Sequence, residues 1–466
     1  MPLDPQPLSV LSARLGAENI RTDDDARARA SGSWSPLYTK AKLASTATTV
    51  DAVAVPGDPD EVAAVVQWAK EHQVSLTPVG GGSGITGKDD RDPARGLVAV
   101  DLSRLQTVRW DEESLLVHAG AGCVLGQLEE QLNAHDYTLG FMPQSLHLAT
   151  VGGAAATNLV GLLSGRYGRL REIAAGLEVV LANGSLVRTQ ADPGAGAAFD
   201  LQDLLIGSEG TLGIITEVSL RMRPVPEVRA WAVFSFPTFS DASEALRLIY
   251  RSDARPAGVR LLDTEAAGQR LAAAGFYAPA SLLLLAFEGD ELVQTGPYQV
   301  AYAICQKIGG TPQASEIGEN WFEEERSRTD WLAPNARAGG LADAFALSAT
   351  WSTLKAVHDA TQRAMAPLVT HLDAQITHAY PTGAALTIVF EAQAEPPTPE
   401  ASVRLYERIV AAGLEAALES GGSIAHHYGV GRTRSGYFRR ERGPAATAAL
   451  QALKAALDPD GLLPPV

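Results

Sequence analysis

Cysteine is nearly missing from this chain: its 466 residues hold two, Cys123 and Cys305, far apart. That excludes a disulfide framework and a cysteine-built zinc or iron–sulfur centre, and it fits a reducing cytoplasm. Long apolar runs are missing as well. None reaches the roughly 18 residues that a membrane helix needs. The opening MPLDPQPLSVLSARLG lacks the apolar core of a secretory signal, and the closing Leu-Pro-Pro-Val is not a peroxisomal address. No integral membrane segment is therefore expected, and the cytoplasm is the expected location. An excess of basic residues is also lacking. The formal charge of −16 repels phosphate backbones, so nucleic acid is a poor partner. An anionic small molecule remains compatible, because a few local arginines override a global field. There is no repeat of solenoid period. The length exceeds one compact core and implies two or three domains.

Glycine is abundant instead, with 44 residues, and it clusters. The first cluster follows a predicted strand over 74–79 and reads Pro78-Val79-Gly80-Gly81-Gly82-Ser83-Gly84-Ile85-Thr86-Gly87. Consecutive glycines let successive backbone N–H groups point one way, and such a nest holds a pyrophosphate without a cation. A flexible turn is the plain alternative. Gly82, Gly87 and Lys88 come near a nucleotide-triphosphate loop, but Asp89 stands where a magnesium-binding Ser or Thr is required. No Gly-x-Gly-x-x-Gly opens a helix here, which excludes a Rossmann fingerprint. The second cluster is Thr150-Val151-Gly152-Gly153, with small residues onward to Asn158. It suits close backbone approach to a flat or extended ligand, and equally tight packing. The third is Gly207-Ser208-Glu209-Gly210-Thr211-Leu212-Gly213-Ile214-Ile215-Thr216-Glu217. A tight turn against a ligand explains it, and so does a β-bulge.

Around these clusters the pattern reads strand 52–55, helix 61–71 with Asp60 as its cap, then strands 74–79 and 96–101. Strand 115–119, helix 124–134 and a hairpin turning at Asn183-Gly184 follow, then strand 214–220. Pro224 and Pro226 mark a boundary near 225. The second half alternates strands (230–236, 258–262, 281–288, 372–378, 384–391) with helices (240–250, 264–274, 292–307, 354–368, 399–418). This implies helices on one face of an antiparallel sheet, and a last helix over 445–456 packing back on the first half. The expected divisions are a lead-in over 1–50, a cofactor-binding domain over 51–225, a substrate-binding cap over 226–430 and a helical segment over 431–466.

The order of the three glycine blocks resembles the FAD-linked oxidase superfamily, of the vanillyl-alcohol oxidase or p-cresol methylhydroxylase type, over roughly residues 50–466. The resemblance implies an α+β fold: a two-subdomain FAD-binding domain of that type plus an α+β cap. It implies that Pro78, Gly80, Gly81, Gly82, Ser83, Gly84, Thr150, Gly152, Gly153, Thr157, Glu209, Gly210, Gly213, Ile215 and Thr216 line FAD. No anchoring His or Cys stands at the matching loops, so non-covalent FAD is expected. Gly258-Val259-Arg260-Leu261-Leu262-Asp263, Tyr380-Pro381-Thr382-Gly383-Ala384 and Ser423-Ile424-Ala425-His426-His427-Tyr428-Gly429-Val430-Gly431 look like alkylglycerone-phosphate synthase and its bacterial relatives. By that likeness Tyr380, His426, His427 and Arg260 are active-site residues, with Tyr428 at the substrate. Adjacent histidines on a glycine-flanked turn can place an imidazole at a reacting C–H or O–H.

Two departures bear on chemistry. Superfamily members that oxidise D-2-hydroxy acids hold a metal through His-x-Gly-Asp-Gly-Asn-x-His and a Glu before His-Gly-Ile-Gly. Here the first segment is Ala379-Tyr380-Pro381-Thr382-Gly383-Ala384-Ala385-Leu386 and the Glu position is His427, so no metal is expected, although His378 lies near. The cap segment Pro334-Asn335-Ala336-Arg337-Ala338-Gly339-Gly340 is short, and Phe345-Ala346-Leu347-Ser348 lacks the synthase's Glu. Arg337 is nevertheless a candidate for a substrate carboxylate or phosphate. The leading expectation is an oxidoreductase that takes hydride from a small alcohol or 2-hydroxy acid, D-lactate- or glycolate-like, to flavin N5. The alternatives are exchange of an acyl for an alkyl group through a flavin adduct, and a non-catalytic flavoprotein subunit. A homodimer is the candidate assembly.

Overall fold

The computed structural model of the chain describes residues 5–466 other than 46, 48, 88–94, 190, 192–199, 272–278 and 328–329. Lys88 and Asp89 of the near-match to a nucleotide-triphosphate loop lie outside the described residues. Asp58, not Asp60, caps the helix Pro59–His72, its carboxylate accepting from Glu61 N at 2.8 Å. Pro59 explains the shift. It has no N–H to lose and its φ is already helical, so it takes the first helical position and the cap falls just before it.

Strands β1 (Ile20–Arg21), β2 (Ala52–Ala54), β3 (Ser75–Val79) and β4 (Leu97–Asp101) form one sheet in the order β1-β2-β4-β3. β2 and β3 both run parallel to β4, and the helix Pro59–His72 is the crossover that parallel strands require. Next come β5 (Val108–Asp111), β6 (Leu116–Gly120), β7 (Tyr137–Thr138), β8 (Ala174–Val180), β9 (Leu186–Arg188), β10 (Ile214–Arg221) and β11 (Arg223–Pro224). Five of them pair in the order β5-β6-β10-β8-β9, and β7 pairs with β11. The Asn183-Gly184 turn joins β8 to β9, with Gly184 at φ +82°.

The second half builds an antiparallel sheet from β12 (Val228–Phe236), β13 (Gly258–Leu262), β14 (Ser281–Gly289), β15 (Thr311–Pro312), β16 (Gly340–Thr350), β17 (His371–Tyr380) and β18 (Gly383–Gln393). Their order is β15-β12-β14-β13-β17-β18-β16. Both faces are buried. Along β14, Leu283, Leu285 and Phe287 join the core under the helices Phe239–Arg251, Leu354–Met365 and Pro399–Glu419. The alternate residues Leu282, Leu284 and Ala286 pack with Leu162, Leu163 and Tyr167 of the glycine-bearing half. The α+β class and the antiparallel cap sheet expected from the sequence are thus present. β16 and the helix Glu316–Ser327 were not expected. β16 is rich in alanine, a poor strand former, and is held by pairing with β18 along its whole length.

The last helical segment, Gly431–Leu457, breaks at Gly443, whose φ is +77°, so that a further helical stretch precedes the helix expected over 445–456. Beyond the break, Lys454 Nζ donates to Thr211 O at 2.7 Å, and Leu453 and Leu457 pack on the core of the second sheet. The chain then reaches the first sheet. Leu76 N on β3 donates to Leu462 O at 2.7 Å, and Leu463 is buried beside that sheet. Cys123 and Cys305 are buried and unpaired. No helix among the described residues is long and apolar enough to cross a membrane.

Candidate active site

The three glycine blocks line one cavity. β3 delivers Pro78 and the loop Gly80–Gly84. The helix Val151–Thr157, capped by the Thr150 hydroxyl, delivers Thr150, Gly152, Gly153 and Thr157. The turn before β10 and the start of that strand deliver Glu209, Gly210, Gly213 and Ile215. Glycine is required here by contact. A Cβ on Gly81 would sit 1.6 Å from Leu148 O, and one on Gly80 would sit 2.5 Å from Thr150 Oγ1. Gly82 and Gly210 have φ of +70° and +78°, open to glycine at no steric cost. A cradle of close-approaching backbone, long and poor in side chains, fits the extended dinucleotide FAD.

The cap sheet closes the other end. Residues on β13 alternate between its faces, and Arg260 faces the cavity. A bulge in β17, between Ile376 and His378, breaks the alternation, so that Thr377 and His378 both line the cavity. His427 and Tyr428 enter from the turn before the last helical segment and complete the wall. Tyr380 and His426 stand one layer behind. Tyr380 Oη is 2.8 Å from His426 Nε2, and His426 Nδ1 is 2.8 Å from His427 Nδ1. His427 Nε2 is thus the ring nitrogen left for the cavity.

Two contacts seat that turn. Thr86 of the first glycine block donates to Tyr428 O at 3.3 Å. Glu209 of the third, at φ +52°, accepts from Val430 N at 2.6 Å and Gly431 N at 3.1 Å. A Cβ on Gly429 would strike the Glu209 carboxylate at 2.8 Å. Gly429 therefore leaves room for the Glu209 carboxylate, and Gly431 leaves room for Thr86 and Gly87 of the first glycine block. Burial raises the pKa of Glu209, and the two amides oppose that rise. Replacing Glu209 by Gln leaves one acceptor oxygen and sets an NH2 against the second amide. We expect a loss of about 1–3 kcal/mol of unfolding free energy, read by urea denaturation.

Burial also governs the histidines. It lowers His378 to about 4, with Arg260 and Arg169 adding to the effect against the opposing Gly161 carbonyl. It lowers His426 and His427 well below 6.5, helped by neighbouring imidazoles and by Arg169, Arg434 and Arg260. It pushes Tyr380 and Tyr428 up to about 12. The site therefore holds neutral imidazoles and protonated phenols at neutral pH. Ring nitrogens of His378, His426 and His427 lie within 4.8 Å of one another, a spacing a metal ion could span. His378 already bonds Gly161 O and Thr377 Oγ1, and His426 uses both its nitrogens.

Two expected site residues lie elsewhere. Thr216 turns away from the cavity, its hydroxyl donating to Glu178 Oε1 at 2.8 Å. Arg337 is exposed after the turn Asp330–Ala336, at the end of β16 away from the histidines. Glu325 and Gln144 were not expected. Glu325, 3% exposed, stands 3.6 Å from Arg260 and accepts from Gln144 Nε2 at 2.6 Å. Arg260 also lies 4.9 Å from the centre of the Trp321 ring. The spacing Ile317, Trp321, Phe322 was the available signal for the helix that carries Glu325.

Comparison with known proteins agrees with this architecture. Residues 50–190 match the FAD binding domain family, and residues 225–466 match the C-terminal domain of FAD linked oxidases. The chain is 27% identical to the alkyldihydroxyacetonephosphate synthase of Caenorhabditis elegans over 444 residues, covering 88% of this chain and 74% of that protein. It is 29% identical to the glycolate oxidase subunit GlcD of Bacillus subtilis, covering 89% of this chain and 88% of that one. It is also 29% identical to the mitochondrial D-lactate dehydrogenase [cytochrome] of Arabidopsis thaliana, covering 89% and 72%. Among solved structures, an alkyldihydroxyacetonephosphate synthase superposes with a TM-score of 0.78 at 23% identity, covering 99% of this chain and 84% of that one. Substrate-bound p-cresol methylhydroxylase gives 0.79 at 19% identity, covering 98% and 95%. These two show the fold alone. The glycine-lined cradle, the cap sheet over it and the matches to both family halves together make this chain an enzyme of the FAD-linked oxidase family, with FAD as its cofactor.

Proposed function

We propose that this enzyme oxidises a small alcohol or 2-hydroxy acid, D-lactate- or glycolate-like, beside non-covalently held FAD. The observation that carries the reading is the hydrogen-bonded chain Tyr380–His426–His427, which ends in the same cavity as Arg260. FAD, when bound, supplies a hydride acceptor. Arg260 orients a substrate carboxylate, and Tyr428 stands beside it. His427 Nε2 takes the hydroxyl proton. With His427 protonated on Nδ1, that N–H donates to His426 Nδ1, and His426 Nε2–H donates to Tyr380 Oη. A proton taken at His427 Nε2 then moves the positive charge on to His426, one residue farther from the substrate. The low dielectric keeps the imidazoles unprotonated at neutral pH, so the acceptor nitrogen is available, at some cost in basicity.

The test is anaerobic addition of D-lactate, glycolate and related 2-hydroxy acids to the flavin-loaded protein. Loss of the oxidised-flavin absorbance with one of them is expected, and no change with any sinks the reading. A second reading, exchange of an acyl for an alkyl group with no net redox change, is favoured by the long match to alkyldihydroxyacetonephosphate synthases. Incorporation of labelled fatty alcohol without bleaching would select it.

The pH profile follows from the buried imidazoles. With His427 held well below 6.5, kcat/KM for the oxidised substrate should stay level as the pH falls from neutral through 6.5. On the alkaline side Tyr380, pushed up to about 12, keeps its proton. An acid limb centred on 6.5 would assign the base to a solvated histidine instead.

A further inference from the structure

The stretch Gly32-Ser33-Trp34-Ser35-Pro36-Leu37-Tyr38-Thr39-Lys40 precedes the region that matches the FAD binding domain family, which starts at residue 50. Gly32, Ser33 and Trp34 nevertheless line the same cavity as the first glycine block. Trp34 N donates to Gly84 O at 2.9 Å, which pins the stretch across the mouth of that loop. The Gly32 carbonyl lies 3.6 Å from where a Cβ on Gly82 would stand. Trp34 is half-buried and, among the described residues, is the one tryptophan of the lining; His378, His427 and Tyr428, which also stand in the wall, come from the second half of the chain.

The same stretch then crosses to the cap. Pro36 starts the helix Pro36–Leu43, and Leu37 packs on the cap core. Lys40 is 1% exposed, and its ammonium donates to Asn335 O at 2.9 Å and Arg337 O at 2.5 Å. The receiving turn is itself fixed, because the Asn335 amide donates to Ala342 O at 2.7 Å and accepts from Ala342 N at 3.0 Å. A buried ammonium without acceptors is costly, so these two carbonyls hold the helix in one place. Nine residues thus tie the glycine loop on one side of the cavity to the cap on the other.

We propose that this stretch is part of the cofactor site: Trp34 covers the bound dinucleotide where it leaves the first glycine loop, and Lys40 anchors that cover to the cap. The proposal rests on the FAD assignment and adds residues to it. An indole over a flat heteroaromatic ligand contributes both excluded water and ring contact.

The test uses the full chain stripped of flavin and titrated with FAD, following quenching of flavin fluorescence. Trp34→Ala is expected to raise the Kd about tenfold, Trp34→Phe to restore most of the affinity, and Lys40→Met to weaken binding comparably. Thermal melting of each apo variant separates weak binding from poor folding. Hydrogen–deuterium exchange on the unaltered protein gives an independent reading: FAD should slow exchange over 32–40. If the unaltered protein binds no FAD, the cofactor assignment fails. If it binds, but both alanine and methionine variants match it within about twofold and exchange over 32–40 does not respond, the strap fails and the assignment stands. Weak binding by Trp34→Ala with normal binding by Lys40→Met overturns the anchoring half.

Discussion

Replacing His427 by alanine is expected to leave FAD bound and to slow its anaerobic reduction by substrate about 10²–10⁴-fold, the range for a lost general base. The residue is 7% exposed, reaches the cavity and carries no backbone function in the turn, which is held by Thr86 and Glu209 instead. Flavin content and the visible spectrum should therefore match the unaltered protein, and added imidazole should recover part of the rate. His426→Ala keeps the base but removes the group that receives its charge, so a smaller loss, about tenfold, is expected. Stopped-flow absorbance at the flavin band measures both. A reduction rate for His427→Ala within twofold of the parent, with FAD fully loaded, would place the proton acceptor elsewhere.

The largest structural effect is expected from Gly81→Ala. The added Cβ meets a backbone oxygen, Leu148 O, at 1.6 Å, and backbone cannot rotate out of the way. Overpacking of this kind costs typically about 1–3 kcal/mol, occasionally more, and here it distorts the loop that holds the cofactor. The purified variant should be nearly colourless and melt below the apo form of the parent. Gly84→Ala makes an informative contrast, since among the described residues nothing beyond its chain neighbours lies within 4 Å of its Cβ and it lines the cavity. Its apo form should melt with the parent, and its defect should appear only as a higher Kd for FAD. Equal melting temperatures for the two apo variants would refute the distinction between a clash with protein and a clash with ligand.

The glycine blocks were legible in the sequence because glycine gathers where the chain takes a positive φ or passes close to other backbone, and such a cluster stands out by composition alone. The hairpin at Asn183-Gly184 was legible for the same reason. Thr216 was not separable from Ile215 by motif alone, although neighbours on a strand point to opposite faces and only Ile215 faces the cavity. Arg337 carried a charge of the right sign in the right half of the chain, but position along β16 is a tertiary fact. The same holds for Glu325, whose partner Arg260 is 65 positions away in sequence and meets it only once the cap is packed. The bulge that turns both Thr377 and His378 inward breaks a pattern that sequence reading assumes to be regular. The three imidazoles were individually visible; their shared loss of solvent, which sets their basicity, was not.

The pairing of Leu76 with Leu462 has a consequence for biosynthesis. β3 ends its sheet, so its outer edge stays open while a ribosome is still making the cap. An uncovered strand edge invites association with other nascent chains. The amino-terminal half thus cannot finish maturing until residue 462 has been made, and dividing the gene near codon 225 should give a first fragment that precipitates rather than one that waits, folded, for its other half.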